Sequence, residues 1–177
     1  AEAGDGISDT AAGDSYTVDA ARLPAANSIL MLAAHVSRHR IFTEWLDPSI
    51  TDESQPHLRD AQLNLYDAAN PNQPPYSADF LALFAQAQIA RNRRITAWVR
   101  EKLNVIRASD SPWSEFAFTV HGTMADPRWL DPAVDPNERK PNWCYLGDPQ
   151  VVNNGPVGLA RFCTLRSWLS QWSYDDS

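Results

Sequence analysis

Residues 77–107 read SADFLALFAQAQIARNRRITAWVREKLNVIR, and this stretch decides the fold class. Its apolar side chains keep helical spacing from Phe80 to Ile106. Ser77 is a suitable N-cap, so the helix is predicted to begin just after it. At a rise of about 1.5 Å per residue the helix is about 45 Å long. A compact chain of 177 residues does not need such a helix, so we expect it to span or cover something. We expect the arginines within residues 91–94 to lie on its solvated face, with a contact to an acidic partner surface as the alternative.

Towards the N-terminus, residues 28–34 read SILMLAA and are apolar on both faces. This pattern predicts a fully buried strand of a parallel sheet, with a buried helix as the alternative. A buried strand needs neighbours, and the chain offers few. His35 follows directly, where the ends of parallel strands face a ligand crevice. A histidine that only caps the strand through a backbone hydrogen bond is the alternative.

The remaining elements are less regular. Alternating apolar residues predict a strand over residues 115–121. A second amphipathic helix is predicted over residues 158–174 and a short one over residues 57–69. Residues 41–46 predict an amphipathic turn that Pro48 stops.

These elements divide the chain into three parts. Residues 1–27 are expected to form a flexible lead-in, and residues 28–40 a core strand and crevice turn. Residues 41–177 are expected to form a helical lid that includes a long Pro-rich loop over residues 121–157. Pro-rich loops of this length are usually functional.

Composition excludes several classes of function. The net charge of −7 argues against an electrostatic nucleic-acid binder. No apolar run reaches 18 residues, so we expect no membrane span and a cytoplasmic protein. Cys144 and Cys163 do not form a CxxC pair. His35 and His39 are four apart, but no third ligand is evident, so we expect neither a metal nor another cofactor.

No standard catalytic motif is present in the sequence. GxSxG, GxGxxG, a P-loop and HExxH are all absent. The His121–Gly122 pair follows the strand predicted over residues 115–121, as an oxyanion loop would. That function needs a serine elbow later in the chain, and none follows, so a plain turn is favoured. Trp45 and Trp129 both stand in the sequence Trp-Leu-Asp-Pro, which is typical of a turn. The chain is therefore expected to work only together with another polypeptide.

Several ordered tracts between about residues 25 and 174 resemble a group of bacterial α/β-hydrolases with large lids. The tracts are SILMLAAH at 28–35, EWLDP at 44–48, ARNRRITAWV at 90–99, VHGTMADPR at 120–128 and LRSWLSQW at 165–172.

The resemblance implies that the chain is the middle of such a fold. It would supply the lid and one buried core strand, and be mainly α with minor β. The nucleophile would precede the strand and the acid and catalytic histidine would follow the second helix, all on another polypeptide. Whether that partner is a separate product or part of a cut precursor stays open.

The implied function is hydrolysis of an ester, amide or similar bond by a Ser–His–acid set. His35, Trp45, His121 and Trp129 would line the pocket of a small, aromatic or apolar substrate. A non-catalytic helical binding or assembly subunit is the alternative, and an independent metal-dependent enzyme ranks third.

Overall fold

The computed structural model describes residues 9–10, 13–15, 27–31, 37–109, 113–135, 148–155 and 161–174. Within these ranges the protein is mainly helical, with one small two-stranded antiparallel sheet. The elements in chain order are α1 (Arg38–Trp45), α2 (Ala78–Arg107), β1 (Ala117–Val120), α3 (Pro149–Asn154), β2 (Arg161–Thr164) and α4 (Leu165–Gln171). The prediction of a mainly α chain with minor β is confirmed.

Helix α2 is the central element and matches its prediction closely. The Ser77 hydroxyl accepts a hydrogen bond from the backbone N–H of Phe80, which caps the first turn. Apolar and polar side chains share the buried face of the helix, namely Phe80, Phe84, Gln88, Arg91, Asn92, Ile95, Thr96, Val99 and Leu103. Because this face is partly polar, α2 holds other segments by hydrogen bonds as well as by apolar contact.

The main core lies where α2 crosses α1, α4 and the sheet. It includes Phe42, Leu103 and Trp168, all nearly inaccessible to solvent. The Trp168 indole N–H donates to the Thr96 hydroxyl at 2.9 Å, so the buried polar atom is satisfied. A second cluster packs Leu65, Tyr76, Phe80, Phe84 and Ala125 around the first turns of α2.

The segment predicted as one helix over residues 158–174 is only partly helical. Residues 161–164 form β2, which pairs with β1 so that Phe118 lies opposite Cys163. Helix α4 then begins after Thr164, whose hydroxyl accepts from the Ser167 backbone N–H in a capping box. The helical prediction was wrong for residues 161–164, because pairing with a distant strand decides their conformation.

The prediction of a short helix over residues 57–69 is also wrong. Side-chain oxygens of Asp60, Asn64, Asp67 and Asn70 each accept a hydrogen bond from the backbone N–H two residues later. These bonds give the backbone an alternative to the helical ladder, so the segment is a series of turns.

The start of the chain differs from the prediction as well. Residues 28–31 have no regular structure, and Ile29, Leu30 and Met31 are 84%, 81% and 72% exposed. No described strand pairs with them, so the predicted buried strand is not formed there. Residues 32–34 and His35 lie outside the described residues, as does most of the predicted lead-in. Helix α1 begins at Arg38, inside the segment assigned to a crevice turn.

The long segment over residues 121–157 is irregular where it is described. It contains a 3₁₀ turn at Pro127–Trp129 and the short helix α3. Residues 136–147 and 156–157 lie outside the described residues. No helix in the described parts of the chain is long and apolar enough to cross a lipid bilayer.

Candidate functional site

Arg91 organises the loops that surround the candidate site. Its side chain is 1% exposed and makes two hydrogen bonds to the Glu53 carboxylate, at 2.9 and 2.7 Å. It also donates to the backbone carbonyls of Asp47, Gly122 and His121, at 2.7–3.0 Å. All five N–H groups of the guanidinium can be used in this way. The expectation of a solvated face was therefore wrong for Arg91.

The two loops that Arg91 joins also contact each other directly. The Asp47 N–H donates to the Gly122 carbonyl at 2.8 Å, and the Ala125 N–H donates to the Trp45 carbonyl at 3.0 Å. Gly122 has a φ of +57°, and a Cβ there would lie 2.7 Å from Ile50 Cδ1. Glycine is therefore needed at this position for both conformation and space. The Gly122 carbonyl accepts from both the Asp47 N–H and the Arg91 side chain.

Gln88 fixes the same loops from one turn earlier on α2. Its buried side-chain amide donates to the carbonyls of Glu44 and Leu46, at 2.6 and 3.0 Å. The side chains of Gln88 and Arg91 thus hold residues 44–53 and 121–125 against one face of the helix.

Trp45 and Trp129 are brought together, as expected for two residues of one site. Their ring centroids are 5.5 Å apart with an interplanar angle of 56°. Beside them, Arg128 donates to the buried Asp126 carboxylate and to Glu44 Oε2, both at 2.9 Å. The hydrogen bond with Asp126 raises the pKa of Arg128, and Glu44 adds to the effect. The pair is a half-buried aromatic surface fixed by ionic contacts.

His121 lies at a different place, in a polar pocket of about 310 Å³. The pocket is lined mainly by His57, Arg59, Asn64, His121, Asn153 and Asn154. Neither Trp45 nor Trp129 belongs to its lining. The structure therefore brings two of the predicted pocket residues together and separates His121 from them.

A buried carboxylate supports one side of this polar pocket. Asp47 is 1% exposed and accepts from Arg59 and from Asn153 Nδ2. Its other oxygen accepts from the backbone N–H and the hydroxyl of Ser49. Asn153 in turn accepts from the Met124 N–H at 3.0 Å, which ties α3 to the loop after β1.

A larger groove of about 600 Å³ lies between α2, β1 and residues 51–54. Its apolar side includes Ile95, Trp98, Phe118 and Val120, and the Trp98 and Phe118 ring centroids are 5.2 Å apart. Its polar rim includes Asp52, whose carboxylate accepts from the Ser54 hydroxyl and backbone N–H. These hydrogen bonds lower the pKa of Asp52. The volume lies in the range typical of small-molecule sites.

Sequence reasoning did not find this groove. Trp98 belongs to the apolar helical pattern between Phe80 and Ile106, but it is 36% exposed and forms a wall of the groove. A sequence signal exists in its neighbours: Arg94 and Lys102 flank Trp98 at the i−4 and i+4 positions of the same helix face. Such flanking charges favour a solvent-facing indole.

The described residues do not assemble a catalytic set. Ser37 Oγ lies 2.8 Å from His39 Nδ1, but Ser37 also accepts from the Arg40 N–H as the N-cap of α1. No described carboxylate is hydrogen-bonded to the His39 ring, so the pair lacks the third member of a triad. In the described ranges, no three His, Cys, Asp or Glu side chains are grouped to hold a metal ion. His35 lies outside these ranges.

Comparisons with known proteins do not add a relative. No protein-family model, curated protein or solved structure matches this chain.

Proposed function

We propose that the chain forms the lid and part of the substrate pocket of a serine-type α/β-hydrolase whose nucleophile lies on a second polypeptide. The observation that carries the proposal is the exposure of Ile29, Leu30 and Met31, each more than 70% accessible to solvent. An apolar run of this kind gains stability only when another surface covers it. In the proposed complex it becomes part of the core strand over residues 28–34.

The proposed substrate is a small molecule with an aromatic or apolar part. Support comes from the groove beside Trp98 and Phe118 and from the contact between the Trp45 and Trp129 rings. Aromatic walls bind flat apolar groups by dispersion and by release of water. Helix α2 would then hold the pocket loops in place through Gln88 and Arg91 while the chemistry takes place on the partner.

The second candidate is a non-catalytic binding or assembly subunit. Two observations on the described residues favour it. These residues form two cavities, and they show no hydrogen-bonded arrangement of nucleophile, base and acid. Both candidates predict ligand binding, but only the first requires a second polypeptide with a serine nucleophile.

The test begins with the native sample. Denaturing mass spectrometry is expected to find a second polypeptide that carries a serine elbow. The full chain alone is expected to self-associate in light scattering and to bind a hydrophobic dye. Changing both Ile29→Ser and Leu30→Ser should lower dye binding severalfold.

Leu83→Ser is the matched control, because Leu83 is also exposed (52%) but belongs to α2 and not to the apolar run at residues 29–31. It should leave self-association and dye binding unchanged. A stable monomer that binds no dye and has no second polypeptide would exclude the hydrolase proposal and favour the binding subunit.

A further inference from the structure

The polar pocket near His121 has an unusual balance of hydrogen-bonding groups. Asn64 Oδ1 accepts from the Tyr66 backbone N–H at 3.2 Å, and Asn154 Oδ1 accepts from Asn153 Nδ2 at 3.3 Å. With their carboxamide oxygens already bonded, these two asparagines can offer a ligand their NH₂ groups. The side chains that line the pocket therefore present donors in excess.

Arg59 adds a positively charged donor that is held in place. It is hydrogen-bonded to the Asp47 carboxylate and, at 3.4 Å, to the Asn153 carbonyl. These contacts use two of the five guanidinium N–H groups and leave three for a ligand. They also occupy the Asn153 carbonyl near the end of α3 as an acceptor. Asp47 itself is buried and already accepts from Ser49 and Asn153. It can thus orient Arg59 without competing for a ligand.

The rest of the lining agrees with this balance. Among the described residues, no Asp or Glu lines the pocket, while His57 and His121 each offer a ring N–H. A ligand must therefore supply acceptors, and a planar guanidinium beside amide donors suits a carboxylate or phosphate group. A metal cation would lack anionic ligands here.

We propose that this pocket binds the oxyanion of a small molecule, a carboxylate or a phosphate group. The site is distinct from the apolar groove and does not depend on the hydrolase proposal. It would serve equally as a specificity pocket for an acidic substrate or as an effector site.

The experiment titrates the full chain with acetate and, separately, with inorganic phosphate at constant ionic strength. Binding is followed by isothermal calorimetry and by the rise in melting temperature. The key variants are Asn64→Asp and Asn154→Asp. Each keeps the oxygen that bonds within the protein and replaces the open donor with a negative acceptor. Affinity should fall about tenfold or more in each variant.

Asn104→Asp is the matched control, because it adds the same charge on the exposed side of α2. It should bind the anion like the unchanged chain. Since Asn154 is exposed, its variant should fold even if that of Asn64 does not. The anion that binds more tightly shows whether the pocket prefers a carboxylate, as in acetate, or a phosphate group. Binding of neither anion, or equal affinity in Asn154→Asp and the unchanged chain, overturns the proposal.

Discussion

At the scale of single residues, Arg91 shows how a charge can be buried on an otherwise ordinary helix. Removing a guanidinium from water is costly unless its N–H groups are bonded and its charge is compensated. Glu53 supplies the charge, and three backbone carbonyls supply the remaining acceptors. The neighbouring Arg93 is exposed and lies 5.5 Å from the Tyr174 ring. Sequence spacing alone does not distinguish these two arginines, because the acceptors for Arg91 come from distant loops.

Two tyrosines differ in how their hydroxyl groups are bonded, and this leads to a prediction. The Tyr66 hydroxyl donates to the Met124 carbonyl, whereas the buried Tyr76 hydroxyl has no hydrogen-bond partner among the described residues. Tyr66→Phe should lower the free energy of unfolding by about 0.5–1.5 kcal/mol. Tyr76→Phe should leave it unchanged or raise it slightly, because an unbonded buried hydroxyl is removed. Urea unfolding at neutral pH measures both.

The same pair gives the direction of the pH dependence. Burial, and to a lesser degree the nearby Asp131, raises the pKa of Tyr76 from 10.0 to about 12. Above pH 10 the unfolded chain loses this proton first, so stability should fall as pH rises from 10 to 12. Burial also raises the pKa of Tyr66. Tyr76→Phe should therefore reduce the alkaline loss of stability without abolishing it. An unchanged alkaline loss in this variant would contradict the assignment.

At the scale of elements, sequence periodicity identified α2 well because its signal is local. Ser77 caps the helix as predicted, and five residues of the apolar pattern are buried, namely Phe80, Phe84, Ile95, Val99 and Leu103. Leu83 and Trp98 belong to the same pattern but are exposed. The polar residues of the buried face were missed, although Gln88, Asn92 and Thr96 follow each other at intervals of four. Asn92 illustrates the reason. Its partners include Thr43 and the backbone of Trp172 and Tyr174, which are far apart in sequence.

Elements fixed by distant pairing were not predictable in this way. Strand β2 exists because Phe162 and Cys163 pair with Thr119 and Phe118 of β1, about 44 residues earlier in the chain. Of the residues predicted for the candidate site, Trp45 and Trp129 lie in ring contact, while their role in binding substrate stays a prediction. The separation of His121 from these two residues was not predicted, because loop conformation decides where a side chain at the end of a strand lies.

The position of Trp98 on α2 leads to a prediction about the helix faces. Phe84 is 1% exposed and Trp98 is 36% exposed. Phe84→Ala should lower the free energy of unfolding by about 3–5 kcal/mol, since it leaves a cavity in the second core cluster. Trp98→Ala should cost only about 1–2 kcal/mol, mainly from lost ring contacts with Phe116 and Phe118. Chemical denaturation tests the order, and a larger effect for Trp98 would mean that the groove is closed by other residues.

At the scale of the whole molecule, one helix face supports two cavities of different chemistry. The apolar groove and the polar pocket are lined by adjacent parts of the same two segments, residues 51–59 and 118–121. The Arg91 side chain is hydrogen-bonded to both segments, to the Glu53 carboxylate in one and to the His121 carbonyl in the other. Both cavities are therefore formed by this chain alone, as the proposed lid requires.

The proposed assembly makes a last prediction about its histidines. His35 follows the segment that is proposed to become the core strand, so in the complex it should line the active-site crevice. It should not be the general base, because the proposed assembly has that histidine on the partner. His35→Ala should then lower kcat/KM of the assembled enzyme by about 10–100-fold through poorer substrate positioning. Loss of a triad base would cost on the order of 10⁴-fold.

His121 is the internal comparison for this experiment, since it also follows a strand but lines the polar pocket. His121→Ala should change KM more than kcat, because in the proposed complex His121 would contact the substrate away from the reacting bond. Equal assembly of both variants, measured by light scattering, makes the kinetics comparable. A near-total loss of kcat for His35→Ala in a normally assembled complex would make His35 the base and place part of the triad on this chain. Wild-type kinetics for both variants would mean that neither His35 nor His121 contacts the substrate. The substrate crevice would then have to be formed by the aromatic groove alone.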